Sequence, residues 1–320
     1  MHRNFASLFL FCAISVVAVP SASAVTIQWS PVGNAGNAND STGFGAVGYA
    51  YNIGTKDVTA SQYAEFLNAK DAGGTNALFL YNNGMSDATF GGISFTAGNP
   101  SGSKYGVIAG RGDHPANYTS WYDSIRFANW LNNGQGSGDT ETGAYTLGTL
   151  GVGGIPFAPP LTHNAGSQVW LPTENEWYKA AYYDPGSSSY NLYPTSSSLT
   201  PTASGPTALA NHANYNNAVF NLTDVGAYSG TTSPYGAFDM GGNVWQWNEA
   251  LISGSFRGLR GGSFGSDAFF LQSSFRNGSF PSDEYNSIGF RVASTIPEPS
   301  TAVLGIVACG MMWLLRKRFK

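Results

Sequence analysis

The sequence predicts a single loop-rich α+β domain with little regular secondary structure. Three observations lead there. Three short helix starts each carry a capping signature, strand patterns are short and few, and long Gly/Ser/Asn/Thr stretches (71–110, 133–168 and 186–210) separate them. The 320 residues suffice for one large domain or two ordinary ones, and no internal repeat is evident. Charged residues make up 11% and aromatics 14%, which argues against disorder, since disordered chains are charge-rich and aromatic-poor. The 41 glycines keep no three-residue period, so collagen is excluded.

In chain order, Val47 to Ile53 is apolar and aromatic and predicts a strand. Thr59-Ala60-Ser61-Gln62 is a capping box, with Val58 and Tyr63 placed as its hydrophobic staple. Tyr63, Phe66 and Leu67 then recur at i, i+3, i+4 and give the helix its buried stripe. Ser120 to Asp123 opens a second helix whose apolar face is Trp121, Ile125 and Ala128. Thr173 to Glu176 caps a third, with Trp177, Ala180 and Ala181 inward and Asp184-Pro185-Gly186 as its stop. Ile288, Phe290 and Val292 alternate as a half-buried strand does. Backbone groups in such long loops need partners, so side-chain amides, waters or ions are expected to supply them.

Both ends read as addresses. Residues 1–24 have a positive start at Arg3, an apolar stretch from Leu8 to Val19 and an Ala22-Ser23-Ala24 cleavage site, the pattern of a secretory signal. At the other end, Pro297-Glu298-Pro299 precedes an apolar run from Thr301 to Leu315 and a basic cluster, Arg316-Lys317-Arg318-Phe319-Lys320. That run is short for a permanent membrane span, and its basic end is expected to stay cytoplasmic. Between the ends, residues 25–296 hold 10 Lys/Arg and 18 Asp/Glu, a balance of −8, which disfavours nucleic acid as a partner. The two cysteines, Cys12 and Cys309, lie in the end segments, so 25–296 has neither disulfide nor thiolate chemistry available.

Two resemblances follow from ordered motifs. The tail (tripeptide, apolar run, basic end) resembles the PEP-CTERM sorting signal of Gram-negative bacteria. It implies an exosortase-type sorting protease as partner, a membrane contact through 301–315, and delivery to the cell surface or extracellular matrix. The domain is similar to the formylglycine-generating enzyme, or sulfatase-modifying factor, family. Gly54-Thr55-Lys56-Asp57-Val58-Thr59 runs into the first helix, and His114-Pro115 precedes Ser120-Trp121-Tyr122-Asp123. Leu171-Pro172-Thr173-Glu174-Asn175-Glu176-Trp177 follows, then Gly236-Ala237-Phe238-Asp239-Met240-Gly241-Gly242-Asn243-Val244-Trp245-Gln246-Trp247. Arg260-Gly261-Gly262-Ser263-Phe264 and Gly289-Phe290-Arg291 complete the set, which covers most of 45–295. The resemblance implies a compact α+β unit distantly like C-type lectins.

The best-known members of that family oxidise a sulfatase cysteine to formylglycine with copper held by two cysteines. Counted without gaps, those cysteines fall here on Ser266 and Leu271, and Ser263 matches a further active-site position. Monovalent copper is soft and takes thiolates, so no copper is expected and formylglycine synthesis is disfavoured. The resemblance also implies calcium. Asp239 and Gln246 would give side-chain oxygens, and Gly242 and Val244 carbonyls, with Gln246 standing where the family usually has Glu. A second set would be Asn214, the Tyr215 carbonyl, Asn217 and the Val219 carbonyl. Oxygen donors from a tight glycine turn suit a hard cation. The plainer reading is that Asp239 caps a turn and the tryptophans fill the core.

Other patterns weigh less. Gly261-Gly262-Ser263-Phe264-Gly265 spells a nucleophile elbow but has no clear helix after it. His114, His163 and His212 show no metal-ligand spacing. Gly148 to Gly154 lacks the Lys and helix of a phosphate loop. Arg111-Gly112-Asp113 and the Asn-x-Ser/Thr sequons at Asn117, Asn221 and Asn277 read as chance. Trp245, Trp247, Tyr285, Phe269 and Phe270 could stack on sugars or simply pack a charge-poor core. On a strand Phe269 and Phe270 could not both point inward, leaving one exposed beside the degenerate pocket. The favoured expectation is an exported, non-catalytic binding or structural module. An extracellular polysaccharide or a surface protein would be its partner. The alternative is an oxidoreductase using a different metal set.

Overall fold

The computed structural model describes residues 24–297. The signal reading up to Ser23 and the sorting tail from Glu298, with the 301–315 segment, lie outside the described residues. No helix among the described residues is long and apolar enough to cross a membrane.

The three expected helices form with the expected caps. Helix α1 is Ala60–Lys70, α2 is Trp121–Asn132 and α3 is Glu174–Tyr182. In each, the N-cap hydroxyl (Thr59, Ser120, Thr173) accepts from the N3 backbone N–H. The N3 side chain (Gln62, Asp123, Glu176) accepts in return from the cap's own N–H. Tyr63, Phe66 and Leu67 are fully buried, as the stripe requires. Helix α2 goes further than one apolar face: every residue from Trp121 to Trp130 is buried, Arg126 and Asn129 included. Those polar groups are satisfied inside. Arg126 binds Glu141 and the Gly154 carbonyl, and Asn129 donates to the carbonyls of Thr140 and Tyr145.

Two four-stranded sheets pack on α2 and α3, through Val169–Trp170 and Trp245–Leu251 respectively. The first runs Trp29–Val32, Tyr51–Gly54, Ala293–Thr295, Val169–Trp170, all antiparallel, and so joins the two ends of the described chain. The second runs Asn277–Ser279, Arg257–Arg260, Trp245–Leu251, Ile288–Gly289, the last pair parallel. In the core, Tyr63 and Phe66 of α1, Phe127 and Trp130 of α2, and Phe290 pack ring against ring, with centroids 5.3–6.3 Å apart.

Two expected strands are corrected. The first is Tyr51–Gly54 rather than Val47 to Ile53, because Val47 is tied to the loop at Gly36 and Asn37 instead of to a strand. The alternating 288–292 segment is not half-buried: all of Ile288 to Ala293 is buried. The chain leaves the second sheet at Gly289 and enters the first at Ala293, with Arg291 between them in the interior. The loops are held largely by amides, as expected. Asn133 bonds the carbonyls of Asp139 and Thr142, Asn76 bonds Tyr81 twice, and Asn37 bonds the Gly45 carbonyl and Val47 N–H.

Candidate functional site

The Asp239–Trp247 segment turns tightly and then enters the second sheet. Asp239, Gly242 and Asn243 all have positive φ, at 54°, 80° and 60°. The turn brings the two expected calcium sets side by side, since a Cβ on Gly242 would stand 2.3 Å from the Asn214 carbonyl oxygen. The Asn243 N–H donates to that same carbonyl, and Asn214 Nδ2 donates to Asn243 Oδ1.

The first set does not fit a cation at Gln246. Its Oε1 already accepts from Trp177 Nε1 at 2.7 Å and from Arg291 Nε at 2.6 Å, which uses both lone pairs. Its amide donates to the Asp239 carbonyl at 2.7 Å. Asp239 Oδ2 accepts from the Gly226 N–H at 2.6 Å, the turn-capping role considered in the sequence. Burial raises the Asp239 carboxyl above its usual range, while Arg291 and Lys56 pull it back. Trp247 fills the core and donates to the Thr119 carbonyl.

The second set keeps one free ligand. Asn214 Oδ1 is buried without a hydrogen-bond partner, and the nearby Thr223 Oγ1 is also unpartnered. The Tyr215 carbonyl accepts from Ala218, Asn217 is exposed with its N–H on the Phe264 carbonyl, and Val219 is half-buried. The donor set, carboxamide plus carbonyls, suits a hard cation. Asn243, whose place within the motif and positive φ mark it, positions this set rather than joining it: its Oδ1 accepts from Asn214 Nδ2 and the Thr223 N–H.

Of the positions where the resemblance places the family's copper cysteines and their neighbour, Ser263 and Ser266 face each other. Ser266 Oγ accepts from the Ser263 N–H at 3.0 Å, and the two hydroxyls lie 3.2 Å apart. Leu271 is fully buried with Tyr193, Ala213 and Tyr215. It fits against two glycines: Cβ atoms on Gly262 and Gly241 would lie 2.7 and 3.5 Å from its methyls. Ala268–Leu271 is a 3-10 turn capped by Asp267, not a strand, so the alternation argument for Phe269 and Phe270 does not apply. Its outcome nonetheless stands: Phe269 is 55% exposed and Phe270 half-buried. Trp245, Phe270 and Phe275 complete a surface cluster with it, at centroid distances of 4.7–6.1 Å.

The histidines stay apart. His212 Nδ1 meets Ser204 Oγ, and His114 stands 3.6 Å from Asp224. His163 carries a network missed in the sequence. Its Nδ1 lies 2.8 Å from Glu249 Oε1, which also accepts from the His163 N–H and from Tyr145, and its ring stacks on Trp170. Burial opposes protonation of His163, but the bond to Glu249 and its charge outweigh it, so the imidazole titrates above its usual value. A raised folded-state value means this stabilisation is full below about pH 6.5 and fades as pH rises through the folded pKa. Amide exchange across 157–166 is therefore expected to be slower at about pH 5.5 than at about pH 8, beyond the intrinsic pH effect, and His163→Gln should remove the difference.

Buried arginines clamped by carboxylates and carbonyls, tryptophans locked behind them and a glycine turn feeding a short sheet define a sulfatase-modifying-factor-type domain. The chain belongs to the sulfatase-modifying factor enzyme 1-like domain family, whose model matches residues 45–296. Among curated relatives, it is 24% identical over 268 residues to the hercynine oxygenase of Mycobacterium tuberculosis, covering 76% of this chain and 52% of that one. It is 34% identical over 146 residues to the hercynine oxygenase of Mycolicibacterium thermoresistibile, covering 38% and 31%. The chain thus spans about half the length of the first of these at most. Among solved structures, Treponema denticola variable protein 1 matches with a TM-score of 0.53 at 21% identity, over 86% of this chain and 98% of that one. CarF matches with 0.52 at 20%, over 85% and 99%. At these identities the likeness is one of fold.

Proposed function

We propose that the chain is an exported, surface-sorted binding or structural module on the sulfatase-modifying-factor scaffold, without copper chemistry. The observation that carries this reading is what stands at the positions of the expected cysteines and their neighbour: two serine hydroxyls 3.2 Å apart and a leucine packed on Gly241 and Gly262. Neutral hydroxyls and a methyl group offer nothing to a soft cuprous ion. The aromatic cluster around Phe269 supports a binding face, since rings of this kind stack on the C–H faces of sugars. An envelope or matrix polysaccharide is the proposed partner, with a surface protein as the other. Sorting by an exosortase-type protease, through the tail, belongs to the same proposal. The test is pull-down of the purified exported chain on envelope polysaccharide. Retention that falls several-fold in a Phe269→Ser variant supports the reading, and no retention on any envelope polymer removes it.

A second reading, an oxidoreductase using a different metal set, is favoured on its oxidative side by relatives named hercynine oxygenase. It requires a redox-active metal at stoichiometric occupancy after purification, and metal analysis giving calcium alone would end it.

Calcium is proposed at the Asn214 set. Binding to the native state alone raises stability by RT ln(1 + [L]/Kd). Chelation is expected to lower the Tm of the wild-type chain, and Asn214→Ala to abolish that response whatever its own Tm. An unchanged wild-type melt would discard the ion.

A further inference from the structure

The stretch 148–162 contains no charged residue, and it folds as a hairpin that leaves apolar side chains outside. The Gly151 N–H donates to the Ile155 carbonyl and the Phe157 N–H to that of Thr149, with Val152 at the tip. Val152 is 95% exposed and Phe157 77%. The hairpin is nonetheless anchored. Buried Arg126 of α2 donates to the Gly154 carbonyl at 2.6 Å, and a Cβ on Gly154 would stand 2.9 Å from the Leu78 carbonyl oxygen. Phe79, the next residue, has a φ of 57°, a strained conformation for a phenylalanine, and is 54% exposed. Exposed apolar groups gathered on a fixed support mark an interaction surface, unlike hydrophobic residues scattered singly.

Charge decides what covers it. Phe79 and Ile155 also wall a cavity of about 160 Å³ whose polar lining includes Glu284 and Asp123. That volume is well under the roughly 300 Å³ at which small-molecule sites begin, so it suits one side chain. Glu284 is half-buried, and its Oε2 accepts from Asn82 Nδ2 at 2.6 Å. It meets Asp123 as a hydrogen-bonded carboxyl pair, while Asp123 Oδ2 accepts from the Ser120 N–H and hydroxyl. The cation among the lining residues, Arg126, is already engaged by Glu141 and the Gly154 carbonyl. A second copy of this chain would set one acidic pair against another, and an anionic lipid surface would be repelled. The face complements a peptide with a basic side chain between apolar ones.

We infer that this face docks an extended segment of a partner protein, whose Lys or Arg side chain enters the cavity to meet Glu284 while its apolar neighbours lie on Phe79, Val152 and Phe157. The face shares no residue with the Phe269 cluster, and the inference does not rest on sugar binding there. Burial pushes both carboxyls up, with the Asp123 charge adding at Glu284, so the empty pair keeps a proton that an arriving cation displaces. Arg126 with its partner Glu141, and the Tyr63 phenol, which burial pushes well above its ordinary value, are the other groups facing the pair.

The probe is an immobilised nonapeptide library with Lys, Arg, Ala or Glu at the centre and Phe, Leu, Val or Ser at the flanks, incubated with the exported chain. Retention on Lys- or Arg-centred peptides with apolar flanks is expected to exceed that on Glu-centred ones about tenfold or more. For the best basic peptide, affinity should rise several-fold between about pH 6 and pH 9, and Glu284→Gln should remove both that rise and the preference for a basic centre. Val152→Ser with Phe157→Ser, both exposed, should weaken binding about tenfold at an unchanged Tm, whereas Phe269→Ser should change nothing. Retention that ignores the central residue, or binding that survives the Val152/Phe157 variant, would overturn the inference. So would a dimer in sedimentation, or binding to phosphatidylglycerol vesicles, that the same variant abolishes, since either gives the face to another occupant. If the double variant unfolds, Phe157→Ser alone is measured in its place, with a several-fold loss expected and an unchanged affinity counting against the face.

Discussion

Arg291→Met is expected to destabilise the domain by about 3–5 kcal/mol in urea unfolding, the usual cost of breaking a buried pair from one side. Arg291 and Asp57 are both wholly enclosed, 2.8 Å apart, and Arg291 does more than pair. Its Nε donates to Gln246 Oε1, and its two Nη atoms donate to the carbonyls of Gly54 and Phe238. Methionine conserves bulk but strands one charge and leaves three acceptors short of a donor. Adding Asp57→Asn removes the stranded charge and should recover part of the loss, giving a coupling term in the double-mutant cycle. The pair also has a pH signature. Burial, with Asp239 adding, pushes the Asp57 carboxyl up to about 7 against the pull of Arg291. For an acid whose folded value is raised, the stabilising contribution is complete below the unfolded pKa near 4 and disappears as pH climbs through about 7. Asp57→Asn should therefore flatten the decline in stability between about pH 4 and 7. A decline of unchanged slope would show that the carboxyl is not held up as described.

Gly242→Ala is the second large effect, and Gly236→Ala is its control. Both glycines sit in the left-handed region, at φ of 80° and 78°. Around Gly236 a methyl group would meet nothing within 4 Å, whereas at Gly242 it would stand 2.3 Å from the Asn214 carbonyl oxygen. The control pays only the left-handed cost of about 1–2 kcal/mol. Gly242→Ala adds a backbone collision that must push the 214 loop away, for a total of about 3 kcal/mol or more. At about 2–4 °C per kcal/mol for a domain of this size, the Tm should fall by roughly 10 °C for the first and by about half that or less for the control. Equal losses would mean that the two loops do not touch.

Much of the architecture was legible because its signals are local. The three capping boxes are four-residue patterns, and each forms as read. The strands were harder, because the 288–292 alternation obeys a two-residue period while the segment passes between two sheets and is enclosed on all sides. The buried arginines were invisible for a related reason. Arg291 and Asp57 each stood in a recognisable motif, but nothing in a one-dimensional pattern says that residues 234 positions apart share an ion pair. At the candidate sites, counting positions singled out Ser263, Ser266 and Leu271 but not that the two serine hydroxyls face each other across a turn. The saturation of Gln246 was not legible either, since it depends on the indole of Trp177 and the guanidinium of Arg291 arriving from other elements. His163 was correctly read as not clustered with other histidines, yet its partner, Glu249, is 86 residues away.

The reliance of the loops on carboxamides gives the molecule a chemical lifetime as well as a thermal one. Asn133 spans its loop through both amide protons, and the residue after it is Gly134, the neighbour that least hinders ring closure onto the side chain. Asparagine is among the heat-labile residues that thermophiles tend to shed. Loss of ammonia there would exchange two donors for a carboxylate aimed at two carbonyls, turning a staple into a repulsion. If the chain works outside the cell as proposed, beyond reach of resynthesis in place, this turn is one point at which it would age.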